Sequence, residues 1–296
     1  MLKSLFVSIK NVNLILFCIL LLTFLTLPSY SSQVENNSSE PGNENSIPVS
    51  NANNTSNKNS NKTATVSKKS QESKKTSKSN SKAYDKEKIC YLTFDDGPSE
   101  RTLEILKILK EYEVKATFFV IASKKNEYLK QIANEGHAIG LHSYLHDYKK
   151  IYKSEKAFFD DLDKISDVVK KETGLNSKVI RFPGGTSNQK APKGMMKKIA
   201  KSATDKGYVY FDWNCDTKDS WGNNVKKKDI IKSLKETYKN PYLKQDGRVC
   251  VLMHDSLYKK TTVKALPDII KFFKKEGYTF EILTEETTPI QHSPAK

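Results

Sequence analysis

The chain has 296 residues, with 50 Lys+Arg against 34 Asp+Glu and a net charge of +16; the length admits one large domain or two small ones, and the charge suits anionic partners. No basic helix interleaved with aromatic residues occurs, which argues against nucleic acid as a partner. The cysteines match neither a zinc-finger spacing nor a small disulfide framework, so Cys90, Cys215 and Cys250, each in or beside an apolar run, are expected to be buried thiols.

Residues 1–30 begin with Lys3 and Lys10, continue as an apolar run from Leu14 to Leu27, and reach the small-residue stretch "PSYSSQ". This is an export pattern, and because the run is short for a full span it is expected to be a signal peptide or a membrane anchor. Cys18 lies inside the run without the small residues that precede a lipidated cysteine. Residues 31–84 are Asn-, Ser-, Thr- and Lys-rich with almost no large apolar side chain, so they cannot bury enough surface to offset their ordering entropy and are expected to form a disordered tether. Beyond residue 88 there remain 38 basic and 28 acidic residues, so the charge excess belongs to the folded part as well. For an exported chain this surface suits a polyanionic cell wall or a lipid surface. The expected location is therefore extracellular, secreted or membrane-anchored and wall-associated, with the domain at 85–296 acting as a monomer.

From Ile89 onward, strand-like runs alternate with helical patterns. "ICYLTF", "ATFFVI", "HAIGLH", "KVIRF", "YVYFDW", "RVCVLMH" and "YTFEIL" are short and rich in β-branched and aromatic residues. Between them, "ERTLEILKILKEY", "KAFFDDLDKISDVVKKE" and "VKALPDIIKFFKKEG" repeat apolar residues at three- and four-residue spacing. Such alternation predicts a parallel sheet covered by helices, and about seven βα units over some 200 residues is barrel-sized. An open doubly wound sheet is the alternative, but no glycine-rich phosphate loop follows the first strand.

Chemistry-bearing residues collect where these strands end. "TFDDGP" places Asp95 and Asp96 side by side, and two such carboxylates repel unless one binds a cation or a proton; each is also an ordinary turn-former beside Gly-Pro. "HSYLH" separates His142 and His146 by four, which puts both imidazoles on one side if the segment makes a helical turn. Singly, a histidine is more often a surface or satisfied core residue than a ligand, and the pair by itself reads equally either way. Two His with an Asp from a neighbouring strand end form a facial ligand set with open positions, the pattern of a catalytic metal. "RFPGG" carries Arg181 and a turn with exposed N–H groups, "FDWNCDTKDSW" carries Asp212, Asp216 and Asp219 with Trp213 and Trp221, and "VLMHD" carries His254 and Asp255.

In this order, over about 170 residues, the five motifs resemble those of the NodB-homology polysaccharide deacetylases, carbohydrate esterase family 4. The resemblance runs from Lys88 to Thr284. It implies a distorted (β/α) barrel and metal-dependent removal of N- or O-acetyl groups from extracellular polysaccharide, with one divalent ion, zinc foremost and cobalt or another possible. By motif, Asp96, His142 and His146 would be the metal ligands and Asp95 the general base, held by Arg181. The Gly184 N–H would receive the oxyanion, His254 would protonate the departing amine, and Leu252 with Trp221 or Trp213 would line the acetyl pocket. The fourth motif departs from the family pattern, because Ser220 separates Asp219 from Trp221 while Asp212-Trp213 offers an earlier Asp-Trp pair; Asp219 is taken as the carboxylate that tunes His254. The tether and the basic surface, which suit a protein held in an anionic wall, favour peptidoglycan N-acetylglucosamine as substrate. Chitin-like, exopolysaccharide and xylan substrates use the same machinery, and a non-catalytic wall-glycan-binding protein of the same fold is the other functional class.

Overall fold

Strand β1 (Ile89–Asp95) shows why the chain folds as it does. Its Cys90, Leu92 and Phe94 point to one side, into the large cluster under the helices, whereas Tyr91, Thr93 and Asp95 alternate to the other side. This computed structural model describes residues 87–295; the expected signal peptide or anchor and the expected tether lie outside the described residues. Among the described residues no helix is long and apolar enough to cross a membrane.

β1 is followed by α1 (Glu100–Glu111), β2 (Thr117–Ile121), α2 (Tyr128–Asn134), β3 (Ala138–Ser143), the short α3 (Tyr148–Ile151) and α4 (Glu155–Thr173). Then come β4 (Val179–Ile180), α5 (Met195–Asp205), β5 (Val209–Tyr210), β6 (Cys215–Asp216), a 3-10 turn (Asp219–Trp221), α6 (Lys227–Tyr238), α7 (Pro241–Asp246), β7 (Arg248–His254), α8 (Lys260–Lys275) and β8 (Thr279–Phe280). All pairings are parallel, in the order β5-β4-β3-β2-β1-β7-β6, with β8 on the start of β1. The seven-strand path curls into a half-barrel whose ends are β5 and β6. Among the described residues, β6 is the one strand that the sequence pattern did not reveal; two residues in "NCDTK" are too few to display a period.

Helices form where the pattern predicts them, and local chemistry sets their ends. Ser99 caps α1 by accepting the Arg101 N–H, in a reciprocal capping box with Thr102. Ser154 caps α4, and Gly174 in the left-handed region ends it. Their apolar faces cover the outer side of the sheet, where Leu92, Phe94, Phe118, Leu141, Ile165 and Ile270 are essentially inaccessible. Each such side chain stabilises the fold by about 1.5–3 kcal/mol. A smaller inner cluster of Tyr91, Phe119, Val179, Phe211, Cys250 and Leu283 floors the half-barrel. The polar strand ends stand above it.

Candidate active site

Register brings the first pair of groups together. β1 and β7 run in step, so Asp95 lies directly opposite His254, and both belong to the inward set. The backbone then turns: Asp96 has φ 72°, a left-handed conformation rarely held by a non-glycine residue. The turn is fixed from β7. The Asp255 N–H donates to the Asp95 carbonyl at 3.0 Å, the Ser99 hydroxyl to the Asp255 carbonyl at 2.5 Å, and the Thr102 hydroxyl to Asp255 Oδ2 at 2.5 Å. A side chain at Gly97 would collide with the Asp255 carboxyl, so glycine is required there. Asp255 is wholly buried; burial, reinforced by Asp96 and Asp95, pushes its carboxyl up to about 7.

His142 is the last residue but one of β3, and His146 follows in a loop rather than on the helical turn that the four-residue spacing suggested. The reason is Asp161, a buried residue of α4. Its Oδ2 accepts the Ser143 hydroxyl and the Tyr144 N–H at 2.6 and 2.8 Å, and its Oδ1 accepts the Leu145 N–H at 2.9 Å. Ser143 Oγ in turn accepts the His146 N–H at 2.8 Å. So pinned, His146 takes φ 50°, and the two imidazoles meet with centroids 5.2 Å apart. Two of three candidate ligands thus hold strained backbone, a feature that clusters at functional sites.

The three groups converge as a metal site would. Asp96 Oδ1 lies 3.6 Å from His142 Nε2 and 3.3 Å from His146 Nε2, and one ligand atom from each residue falls within 4.8 Å of the others. His142 donates Nδ1–H to the Arg181 carbonyl at 2.7 Å, which leaves the Nε2 lone pair facing the cluster. Burial, together with the neighbouring His146, pushes the His142 imidazole down to about 3, so it is neutral at ordinary pH. Asp96 Oδ1 is buried and has no hydrogen-bond partner among the described residues. An orphaned carboxylate oxygen facing two imidazole nitrogens fits a cation.

Arg181, 1% exposed, reaches into the half-barrel above the Phe119 ring. Its Nη1 donates to Asp95 Oδ1 at 2.8 Å and to Thr93 Oγ1 at 2.7 Å; Nε donates to the Phe211 carbonyl and Nη2 to the Asp212 carbonyl. The remaining Asp95 oxygen, Oδ2, faces His142 Nε2 at 3.9 Å. Adjacent carboxylates therefore have different neighbours: Asp95 an arginine, Asp96 two imidazoles.

On the other flank, Asp219 Oδ1 lies 2.8 Å from His254 Nδ1, and Asp219 Oδ2 accepts the His254 N–H and the Thr262 hydroxyl. The Lys259 ammonium donates to the Asp219 carbonyl at 2.8 Å. Asp219, and not Asp212, is the carboxyl against His254; Asp216 instead accepts the Lys218 N–H in the turn between them. Gly184 has φ 76°, and its N–H has no acceptor among the described residues. Leu252 is buried on β7, one inward position before His254. The two tryptophans separate: Trp213 packs against the inner cluster and edge-on to His292, whereas Trp221 is 75% exposed beside Lys218. Sequence reasoning missed Asp161, Thr262 and Lys259. A buried Asp in an otherwise amphipathic helix was the one available signal.

A family model described as polysaccharide deacetylase matches residues 82–204. A peptidoglycan-N-acetylglucosamine deacetylase of Bacillus cereus is 31% identical over 68% of this chain and 71% of its own. Among solved structures, the catalytic domain of a peptidoglycan N-acetylglucosamine deacetylase from Eubacterium rectale is similar at TM-score 0.64 and 35% identity, covering 71% of this chain and 94% of that one. A polysaccharide deacetylase from Bacillus cereus follows at TM-score 0.58 and 30% identity, covering 69% and 97%.

Proposed function

This chain belongs to the polysaccharide deacetylase family, and from that premise we propose that it removes N-acetyl groups from peptidoglycan N-acetylglucosamine at the extracellular face, using one divalent ion, zinc. Deacetylation makes it a hydrolase of carbon–nitrogen bonds other than peptide bonds. The observation that carries the mechanism is the convergence of the Asp96, His142 and His146 ligand atoms beside an arginine-held Asp95, with an aspartate-held His254 opposite Asp95 on β7. The names of the Bacillus cereus and Eubacterium rectale relatives support the choice of substrate. The export pattern and the basic domain support the location.

Asp96, His142 and His146 would hold the metal. A dication there acidifies water and polarises the acetyl carbonyl. Asp95, oriented through Oδ1 by Arg181, takes the proton of the attacking water on Oδ2. The water oxygen bonds to the acetyl carbon, and the Gly184 N–H donates to the oxyanion that develops. His254 then gives its proton to the nitrogen as the carbon–nitrogen bond breaks, which is needed because an amide anion is a very poor leaving group. Acetate and a free amine result. Leu252 lines the space for the acetyl methyl group.

The test is acetate release from a chitooligosaccharide, with and without chelator, followed by mass analysis of muropeptides from cells with and without the protein. Acetate should appear, stop on chelation and return with zinc. Release from a metal-free preparation would overturn the metal assignment, and unchanged muropeptides would overturn the substrate.

A further inference from the structure

We propose that Asp212 is a positioning residue that holds the Pro183-Gly184-Gly185 turn, and with it the Gly184 N–H, in place through Thr186 and the C-terminal segment 290–293. The inference rests on the deacetylase reading above, because it concerns the group assigned to the oxyanion.

Asp212 follows β5, in the gap between the two ends of the half-barrel, and is wholly buried. Its Oδ1 accepts the Thr186 N–H at 2.9 Å; Oδ2 accepts the Thr186 hydroxyl at 2.5 Å and the His292 N–H at 2.8 Å. Its own N–H donates to the Ile290 carbonyl at 2.8 Å, and its carbonyl accepts Arg181 Nη2 at 3.0 Å. One side chain and its peptide groups thus link the arginine on Asp95, the turn after β4 and the C-terminal segment. That segment has its own tie to the same hydroxyl, since the Ser293 N–H donates to Thr186 Oγ1 at 3.0 Å.

The turn needs such a clamp. Gly184 and Gly185 stand consecutively at φ 76° and 73°, and two successive glycines carry the largest backbone freedom a dipeptide can have. Within the turn, the Gly185 N–H donates to the Phe182 carbonyl. A Cβ on Gly185 would approach Asp212 Oδ1 to 2.8 Å and the Trp213 ring to 3.0 Å. The glycine lets the turn lie against Asp212-Trp213; the Thr186 bonds hold it on that side, while the Tyr152 hydroxyl and the Asn188 amide donate to its Pro183 and Gly185 carbonyls. A donor aimed at developing charge acts only if it is fixed before the reaction.

The experiment measures kcat, KM, metal content, melting temperature and inhibition by a phosphonate analogue of the tetrahedral intermediate, on the metal-loaded protein and on Asp212→Asn, Thr186→Val and Thr186→Ser. Asp212→Asn is expected to lower kcat by about tenfold to a hundredfold. KM should stay within about twofold and metal content should not change, while the phosphonate Ki rises in proportion to the loss in kcat. Thr186→Val should show a smaller loss in the same pattern, and Thr186→Ser, which keeps the hydroxyl, should restore kcat. Should Asp212→Asn not fold, the two Thr186 variants decide. Unchanged kcat, a loss that follows melting temperature with no change in phosphonate Ki, or a Ser variant as impaired as Val overturns the inference. A wild-type protein that releases no acetate overturns instead the reading on which it rests.

Discussion

Asp219 grips His254 at two points, with Oδ1 at 2.8 Å from the ring Nδ1 and Oδ2 accepting the backbone N–H at 2.9 Å. Burial opposes a charged imidazole, but the Asp219 charge and hydrogen bond outweigh it and raise His254 to about 9. The bond to Nδ1 also leaves Nε2 as the nitrogen available for proton transfer.

Asp219→Asn should therefore move the pH profile in a definite direction. His254 acts as an acid only while protonated, so the rate falls as pH rises through its pKa. An amide in place of Asp219 removes the charge that raises that pKa, and the alkaline limb of kcat/KM should shift to lower pH by about one unit or more. A limb that stays in place in Asp219→Asn would remove His254 from the role of acid.

The neighbours of Asp95 and Asp96 predict separable losses. Asp95→Asn should lower turnover by about a hundredfold or more while retaining metal, since the amide cannot accept the water proton. His142→Ala should lose both, because one of three ligand groups is gone. Metal content and acetate release on the same preparations check this. An empty site in Asp95→Asn with a filled one in Asp96→Asn would reverse the two roles.

Arg181→Met should be costly to stability as well as to activity. The guanidinium is bonded to Thr93, Asp95, Phe211, Asp212 and Cys250, and its removal leaves the buried Asp95 carboxyl and the Phe211 carbonyl without this donor and the Asp212 carbonyl with only the weak Cys250 S–H. Breaking a pair this deeply buried costs about 3–5 kcal/mol. Denaturant unfolding of the two proteins measures it, and an unfolding free energy lowered by only a few tenths of a kcal/mol would contradict the geometry.

Asp161→Asn tests the loop that carries the two histidines. Asp161 touches neither ring, yet it accepts three donors from residues 143–145. Loss of such a supporting group typically weakens metal binding by about 10–100-fold. A competitive chelator titration reads the change, and an affinity equal to that of the wild type would show that the loop holds itself.

Much of this was legible in the sequence because it is local. Alternation in "ICYLTF" decides that Asp95 shares a face with Thr93 and Tyr91 whatever else the chain does. The three-and-four spacing of "KAFFDDLDKISDVVKKE" likewise dictates one buried helix face, and the five motifs in order identify the family. What periodicity carries is which way a side chain points, and that depends on its nearest neighbours along the chain.

Which groups touch was a different matter. Asp212 and Asp219 stand seven residues apart in one polar stretch, and the period of neither strand nor helix tells which meets His254; the register of β6 on β7 and the 3-10 turn after it put Asp219 there. The same holds for the segment "PIQHSP", which carries no motif or period yet supplies the N–H groups of His292 and Ser293 to Asp212 and Thr186. Contacts spanning 35, 80 or 107 residues depend on how the strands stack and where the half-barrel stays open, and only the folded backbone decides that.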